Sequence, residues 1–281
     1  MEIETVPDLN RPVVIAAFEG WNDAAESATA VIDHLMDQWD ARIVAAIDPE
    51  EYYDFQVNRP TVGIDGNGFR TLTWPSTHIA VASPPELGRD VVFIRGIEPN
   101  MRWRQFTAEL LAAIDDLGGE LLVTLGALLS DSPHTRPIPV SGTATEPELL
   151  DRLDLEQSTY EGPTGIVGVL QDAAVRVDLA AVSYWAAVPH YVAQPPCPKA
   201  TLALLGRLED LLEAPLPLGD LPDEARAWER GVDELAEEDE DVAEYVRSLE
   251  ESRDTADLPE ASGEAIAREF ERYLKRRDDG D

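Results

Sequence analysis

The chain is poor in the residues that most often announce chemistry. Among its 281 residues there is one cysteine, Cys197, and there are four histidines. A single thiol excludes an intrachain disulfide and any zinc site built on several thiolates. Lysine is almost missing, with Lys199 and Lys275 the sole examples beside twenty arginines. No uninterrupted apolar run nears the roughly 20 residues that a membrane span needs, so no membrane partner is expected. The opening "MEIETVPDLNRP" has no basic region followed by an apolar segment, so no secretion signal is expected and the expected compartment is the cytoplasm.

Positive charge is scarce as well. Lys and Arg total 22 against 56 Asp and Glu, a formal net charge of −34. Self-repulsion at that level favours solubility and opposes phosphate backbones, so no nucleic acid is expected as a partner. A length of 281 residues with 44% hydrophobic residues allows one large domain and a smaller appendage.

What the chain does have is alternation. "VVIAAF" (13–18), "RIVAAI" (42–47), "HIAVAS" (78–83), "VVFIRG" (91–96), "LLVTLG" (121–126) and "AAVSYWAAV" (180–188) read as strands. They are nearly all apolar, as expected where both sheet faces are covered. Helical periods lie between them at 23–39, 103–117, 165–177 and 199–212. Strand, helix, strand in repetition predicts an α/β domain over residues 1–212 with a mostly parallel sheet and right-handed crossovers.

Beyond "EAPLPLGDLPDE" the composition shifts. Residues 213–281 hold 24 acidic and 9 basic side chains, a net −15. Trp228, Val232, Leu235, Val242, Val246 and Leu249 trace a narrow seam, predicting one long helix with Asp239 at the skipped position. Ile266, Phe270, Tyr273 and Leu274 predict a second helix over 262–275. Neither seam suffices for a core, so an acidic α-helical extension docked on the main domain or another subunit is expected, because Trp228 is costly to expose.

In a parallel sheet the segments that follow the strands gather at one edge, where ligands usually bind. Those segments hold the candidate site. In "EGWNDAAES", Asn22 or Asp23 is placed to cap the next helix or to act chemically, and Trp21 to cover a pocket or pack. "GIEPNMRW" contributes Glu98 and Trp103. "YEGPTGIVGVL" puts Glu161, Gly162, Thr164 and Gly165 before an apolar helix, either an anion cradle or a tight helix entry. It has neither the lysine of a P-loop nor the spacing of a dinucleotide fingerprint. "LLSDSPHTRPIPVSG" stiffens His134 and Arg136 with three prolines, and "PHYVAQPPCPKA" adds His190 and Tyr191. Arg136 either holds an anion or pairs with an acid such as Glu98 or Glu161. No metal-ligand spacing, no G-x-S-x-G elbow and no cofactor motif occurs, so no metal and no cofactor is expected.

Taken in order, "GWNDAAESA", "YDFQVNRP", "IEPNMRWRQF", "LGALLSDSPHTRP", "YEGPTGIVGVL" and "WAAVPHYVAQPPCPKATLALL" resemble the proteasome assembly chaperone two family in its high-GC bacterial branch, over residues 12–212. The resemblance implies a phosphorylase/hydrolase-like three-layer α/β sandwich with a mostly parallel sheet. It implies a possible link to the proteasome, whose subunits are then the expected protein partners. Chaperones of this kind often present a terminal hydrophobic–Tyr–any tripeptide, whereas this chain reads "RRDDGD".

Two functions follow as expectations. The first is a non-catalytic binding or assembly-chaperone-like homo-oligomer, with a trimer as the expected stoichiometry. Its exposed anchors would be Trp21, Trp103, Tyr191 and Arg136. The second is an enzyme acting on a small anionic or nucleoside-like substrate, with His134, His190 or Glu161 moving a proton. Convergence of those side chains on one cavity separates the two.

Overall fold

The computed structural model describes residues 4–257, with side chains to residue 254. A seven-stranded sheet forms the centre, built from β1 (Val13–Glu19), β2 (Arg42–Ala46), β5 (His78–Ala82), β6 (Val91–Ile97), β7 (Leu121–Ser130), β8 (Val140–Ala144) and β9 (Ala180–Pro189). Their order is β2-β5-β6-β1-β7-β9-β8. The pairs β6–β1, β1–β7 and β7–β9 are parallel, while β2–β5, β5–β6 and β8–β9 are antiparallel. Five of the seven strands therefore run the same way, and the predicted run of crossovers is corrected at both edges. Between β5 and β6 the chain makes only a short turn over Pro85–Leu87, and without a helix to carry it across, the chain must reverse.

Burial on both faces explains the apolar strands. In β1, Val13, Ile15 and Ala17 point into one core and Val14, Ala16 and Phe18 into the other, all six fully buried. The first core is closed by α1 (Ser27–Gln38) and α5 (Pro198–Leu212), the second by α2 (Trp103–Asp116) and α4 (Ile166–Val175). The short α3 (Pro147–Leu153) follows β8 and lends Leu149 and Leu153 to the first core. A separate hairpin, β3 (Thr61–Ile64) with β4 (Arg70–Thr73), stands outside both.

The predicted long C-terminal helix is broken. It is α6 (Leu221–Glu238) and α7 (Glu240–Asp257), separated by Asp239 in an extended conformation. The Asp239 carboxylate accepts the N–H groups of Asp241 (3.0 Å) and Val242 (3.3 Å), so the acid at the gap in the seam starts a new helix. Val232, Val246 and Leu249 are buried as the seam requires, but Leu235 is exposed. α6 lies along α5, and Trp228 packs against the first core. The helix expected at 262–275 lies outside the described residues.

Candidate functional site

Strands β7 and β9 stay in register over ten residues, from Leu121 beside Ala180 to Ser130 beside Pro189. The two polar segments that follow must therefore leave the sheet side by side. They do, and Tyr191 joins them. Its hydroxyl accepts the His134 backbone N–H at 2.7 Å and lies 2.7 Å from His134 Nδ1. Burial pushes this phenol up to about 12. His134 is only 1% exposed, and its Nε2 faces Asp233 Oδ1 on α6 at 2.9 Å. The Trp228 ring crosses the imidazole edge-on, with centroids 6.5 Å apart.

Neighbouring groups repeat the theme. Lys199 Nζ donates to the His134 carbonyl and to Glu229 on α6. Arg136 grips Asp254 with Nε (2.9 Å) and Nη2 (2.8 Å) and reaches Glu250 with Nη1 (3.2 Å), while Thr135 donates to that same Glu250 oxygen. This fork raises the guanidinium's pKa and lowers that of Asp254. Arg136 was expected to meet Glu98 or Glu161; its acids instead come from α7. His190 is half-exposed, 3.3 Å from Asp131, and its ring meets Tyr191 and Tyr245 edge-on. The Tyr245 hydroxyl donates to the same Asp131 oxygen at 3.1 Å.

The proline-stiffened segment is thus a seat for the chain's own acidic helices. His134 and His190 do share a rim, joined through Tyr191. Neither bonds Glu161, which is exposed on the loop before α4, so the proton-moving trio of the enzyme reading does not assemble.

A second group forms where β1, β6 and β7 end. Past Gly20, at φ +113°, the chain turns so that Asn22 is fully buried and Trp21 is 66% exposed. Asn22 Nδ2 donates to Glu98 Oε1 at 2.7 Å, and the same oxygen accepts the Ile166 N–H at 2.9 Å. The alternative of an anion cradle at the start of α4 meets a resident anion, the Glu98 carboxylate. Gly165 is required here, because a Cβ would lie 2.0 Å from Asn22 Oδ1. That Oδ1 is buried and has no partner among the described residues. Gly162 and Thr164 are exposed on the preceding loop, where Tyr160 donates to the Pro163 carbonyl at 2.8 Å.

Asp23 is the helix cap, and it reaches beyond the usual span. A turn over Ala24–Glu26 holds Ala25 and Glu26 at φ +53° and +55°, so the carboxylate accepts from Ala28 (2.6 Å), from the Thr29 N–H (3.3 Å) and from the Thr29 hydroxyl. Burial outweighs these bonds and pushes Asp23 up to about 6. The folded value lies above the ordinary carboxylate value, so the protonated native state is favoured. That contribution is complete below about pH 4 and is lost as pH rises through 6. Relative to Asp23→Asn, the wild type is expected to lose about 3 kcal/mol of stability across that window. Urea unfolding at stepped pH measures it, and a pH-independent difference would refute it.

Of the four expected anchors, only Trp21 is free. Trp103 is half-buried against the second core and donates to the Pro99 carbonyl at 2.6 Å, while Tyr191 and Arg136 are engaged as described. The partners that sequence reading missed were Asp233, Tyr245, Glu250 and Asp254. The spacing of Glu250 and Asp254, one helical turn apart, was the available signal. Among the described residues no three His, Cys, Asp or Glu side chains are arranged to hold a metal ion.

The PAC2 family model matches residues 17–236. A PAC2 family protein from Streptomyces avermitilis is 59% identical over 84% of this chain and 99% of its own, with a TM-score of 0.78. A proteasome-assembly chaperone homologue from Mycobacterium tuberculosis is 53% identical over 83% of this chain and 99% of its own, with a TM-score of 0.76. PbaB from Pyrococcus furiosus, an archaeal proteasome activator, shares the fold at 16% identity, covering 83% of this chain and 97% of its own, with a TM-score of 0.66. No curated protein matches the chain. A match over most of the sequence, joined to relatives more than half identical, settles the kinship: the chain belongs to the PAC2 family.

Proposed function

We propose that this protein is a non-catalytic binding factor, assembly-chaperone-like, that works as a homo-oligomer and takes proteasome subunits as its protein partner. One observation carries the reading. Among the described residues, α6 and α7 engage His134, Arg136 and Lys199 of the polar rim, and Trp21, Leu128 and Leu129 are exposed where β1 and β7 end. An apolar cluster rimmed by polar groups suits a protein surface, and tryptophan is a typical anchor. The names carried by the Mycobacterium and Pyrococcus relatives support the proteasome as the partner. We assign the α/β architecture to the phosphorylase/hydrolase-like sandwich, whose chemistry does not travel with the fold.

The test is binding of the purified full-length chain to proteasome core subunits from the same organism, followed by biolayer interferometry. Saturable binding is expected, weakened at least about tenfold by Trp21→Ala. No binding by the wild type, together with a thermal shift caused by phosphate, a nucleoside or a nucleotide, would overturn the reading in favour of the enzyme.

A further inference from the structure

The polar rim has two halves, and the chain covers them differently. Under α6 the cover is anchored: Trp228 packs against the first core while Asp233 and Glu229 meet His134 and Lys199. Under α7 it is not. Val246 and Leu249 are buried, yet among the described residues neither belongs to either sheet core. The hydrogen bonds that α7 makes to the sheet domain are polar grips at its surface. Glu250 and Asp254 hold Arg136, Glu250 also takes Thr135, and Tyr245 reaches Asp131. Partly exposed ion pairs of this kind contribute little each and weaken with salt.

A second observation is independent of the first. The family match spans residues 17–236, so the seat lies inside it, while α7 begins beyond it at Glu240. The chemistry of the occupant follows from what the seat grips. Two carboxylates one helical turn apart share one guanidinium, a fork that neither a neutral nor a basic segment can satisfy. Five residues before the first of them, Tyr245 sets its ring edge-on to those of His190 and Tyr191, with centroids 5.5 and 6.0 Å apart. The exposed Leu128 and Leu129 run straight into this seat through β7, so the open apolar cluster and the grip are continuous.

We propose that Thr135, Arg136, His190 and Tyr191 form a docking site for an acidic helix of the protein partner, and that α7 is an internal mimic of that helix which holds the site shut. This deepens the binding-factor reading above and rests on it. The fitting helix carries carboxylates at two positions four apart and a tyrosine five residues before them.

The experiment uses the full-length chain and, as probe, a fluorescein-labelled peptide of residues 240–257, read by anisotropy. Circular dichroism and thermal midpoint check each variant. Glu250→Gln/Asp254→Asn frees Arg136 at constant side-chain size and is expected to bind the peptide at least about tenfold more tightly than the wild type. Tyr245→Phe opens the other end of the seat by one hydroxyl and is expected to act in the same direction. Adding Arg136→Gln to the double variant is expected to erase its gain. Peptide binding no tighter in either opened variant than in the wild type overturns the mimicry. A triple variant as tight as the double one overturns the seat. Proteasome core subunits separate this inference from the reading beneath it, and they are expected to prefer the double variant at least about tenfold. Subunits that bind wild type and double variant equally overturn the acidic partner helix and leave the binding factor standing. Subunits that bind neither overturn the named partner, while the peptide still decides the seat.

Discussion

Gly165→Ala is expected to destabilise the fold by about 3 kcal/mol or more, at the upper end of what overpacking costs. The new methyl would sit 2.0 Å from Asn22 Oδ1, a contact no side chain can keep. Asn22 cannot retreat, because it is fully buried, its side-chain Nδ2 holds Glu98, and its backbone carbonyl accepts the Ala127 N–H at 2.8 Å. Movement of α4 would instead break the Glu98 bond to Ile166. Chemical denaturation gives the number. Gly66→Ala is the control, since a Cβ there meets nothing within 4 Å, and its effect should stay within about 0.5 kcal/mol. A double-mutant cycle locates the cause: in an Asn22→Ala background the Gly165 substitution should cost much less. Equal costs in both backgrounds would refute the steric account.

His134→Ala is the second large effect. It deletes a buried ring that contacts Tyr191, Asp233 and Trp228 together, and about 2–4 kcal/mol should be lost. The loss is local in origin. α6 and α7 are held by this rim, so their amides should exchange at least about tenfold faster while those of β1 stay protected. His190→Ala, at a half-exposed ring with a 3.3 Å contact, should cost within about 1 kcal/mol. Helices as well protected in His134→Ala as in the wild type would show that the rim does not hold them.

These two sites also mark how far sequence reaches. Six strands and four helices were legible because burial on both sheet faces forces unbroken apolar runs, as in Val13 to Phe18. β8 was not: "VSGTA" is a polar edge strand, half in contact with solvent, and carries no such run. The shared rim was legible too, since topology alone puts His134 and His190 after neighbouring parallel strands. Their partners were not, because pairing Arg136 with Asp254 spans 118 residues and depends on where a helix breaks. Asp239 looked like a flaw in a seam, and only the folded chain shows that its carboxylate starts α7. Gly165 read first as a packing glycine at a helix entry, with a phosphate turn as the alternative, because both need a missing Cβ. The buried amide of Asn22 decides between them.

The seat built by Thr135, Arg136 and Lys199 sets a threshold for outsiders. An acidic helix arriving from solution must displace Glu229, Glu250 and Asp254, which are tethered to the same chain. Tethering gives such residents a local concentration in the millimolar range, so residents of about micromolar intrinsic strength hold any newcomer off by about a thousandfold. Cutting the chain between α5 and α6 removes that advantage without altering a single contact in the seat.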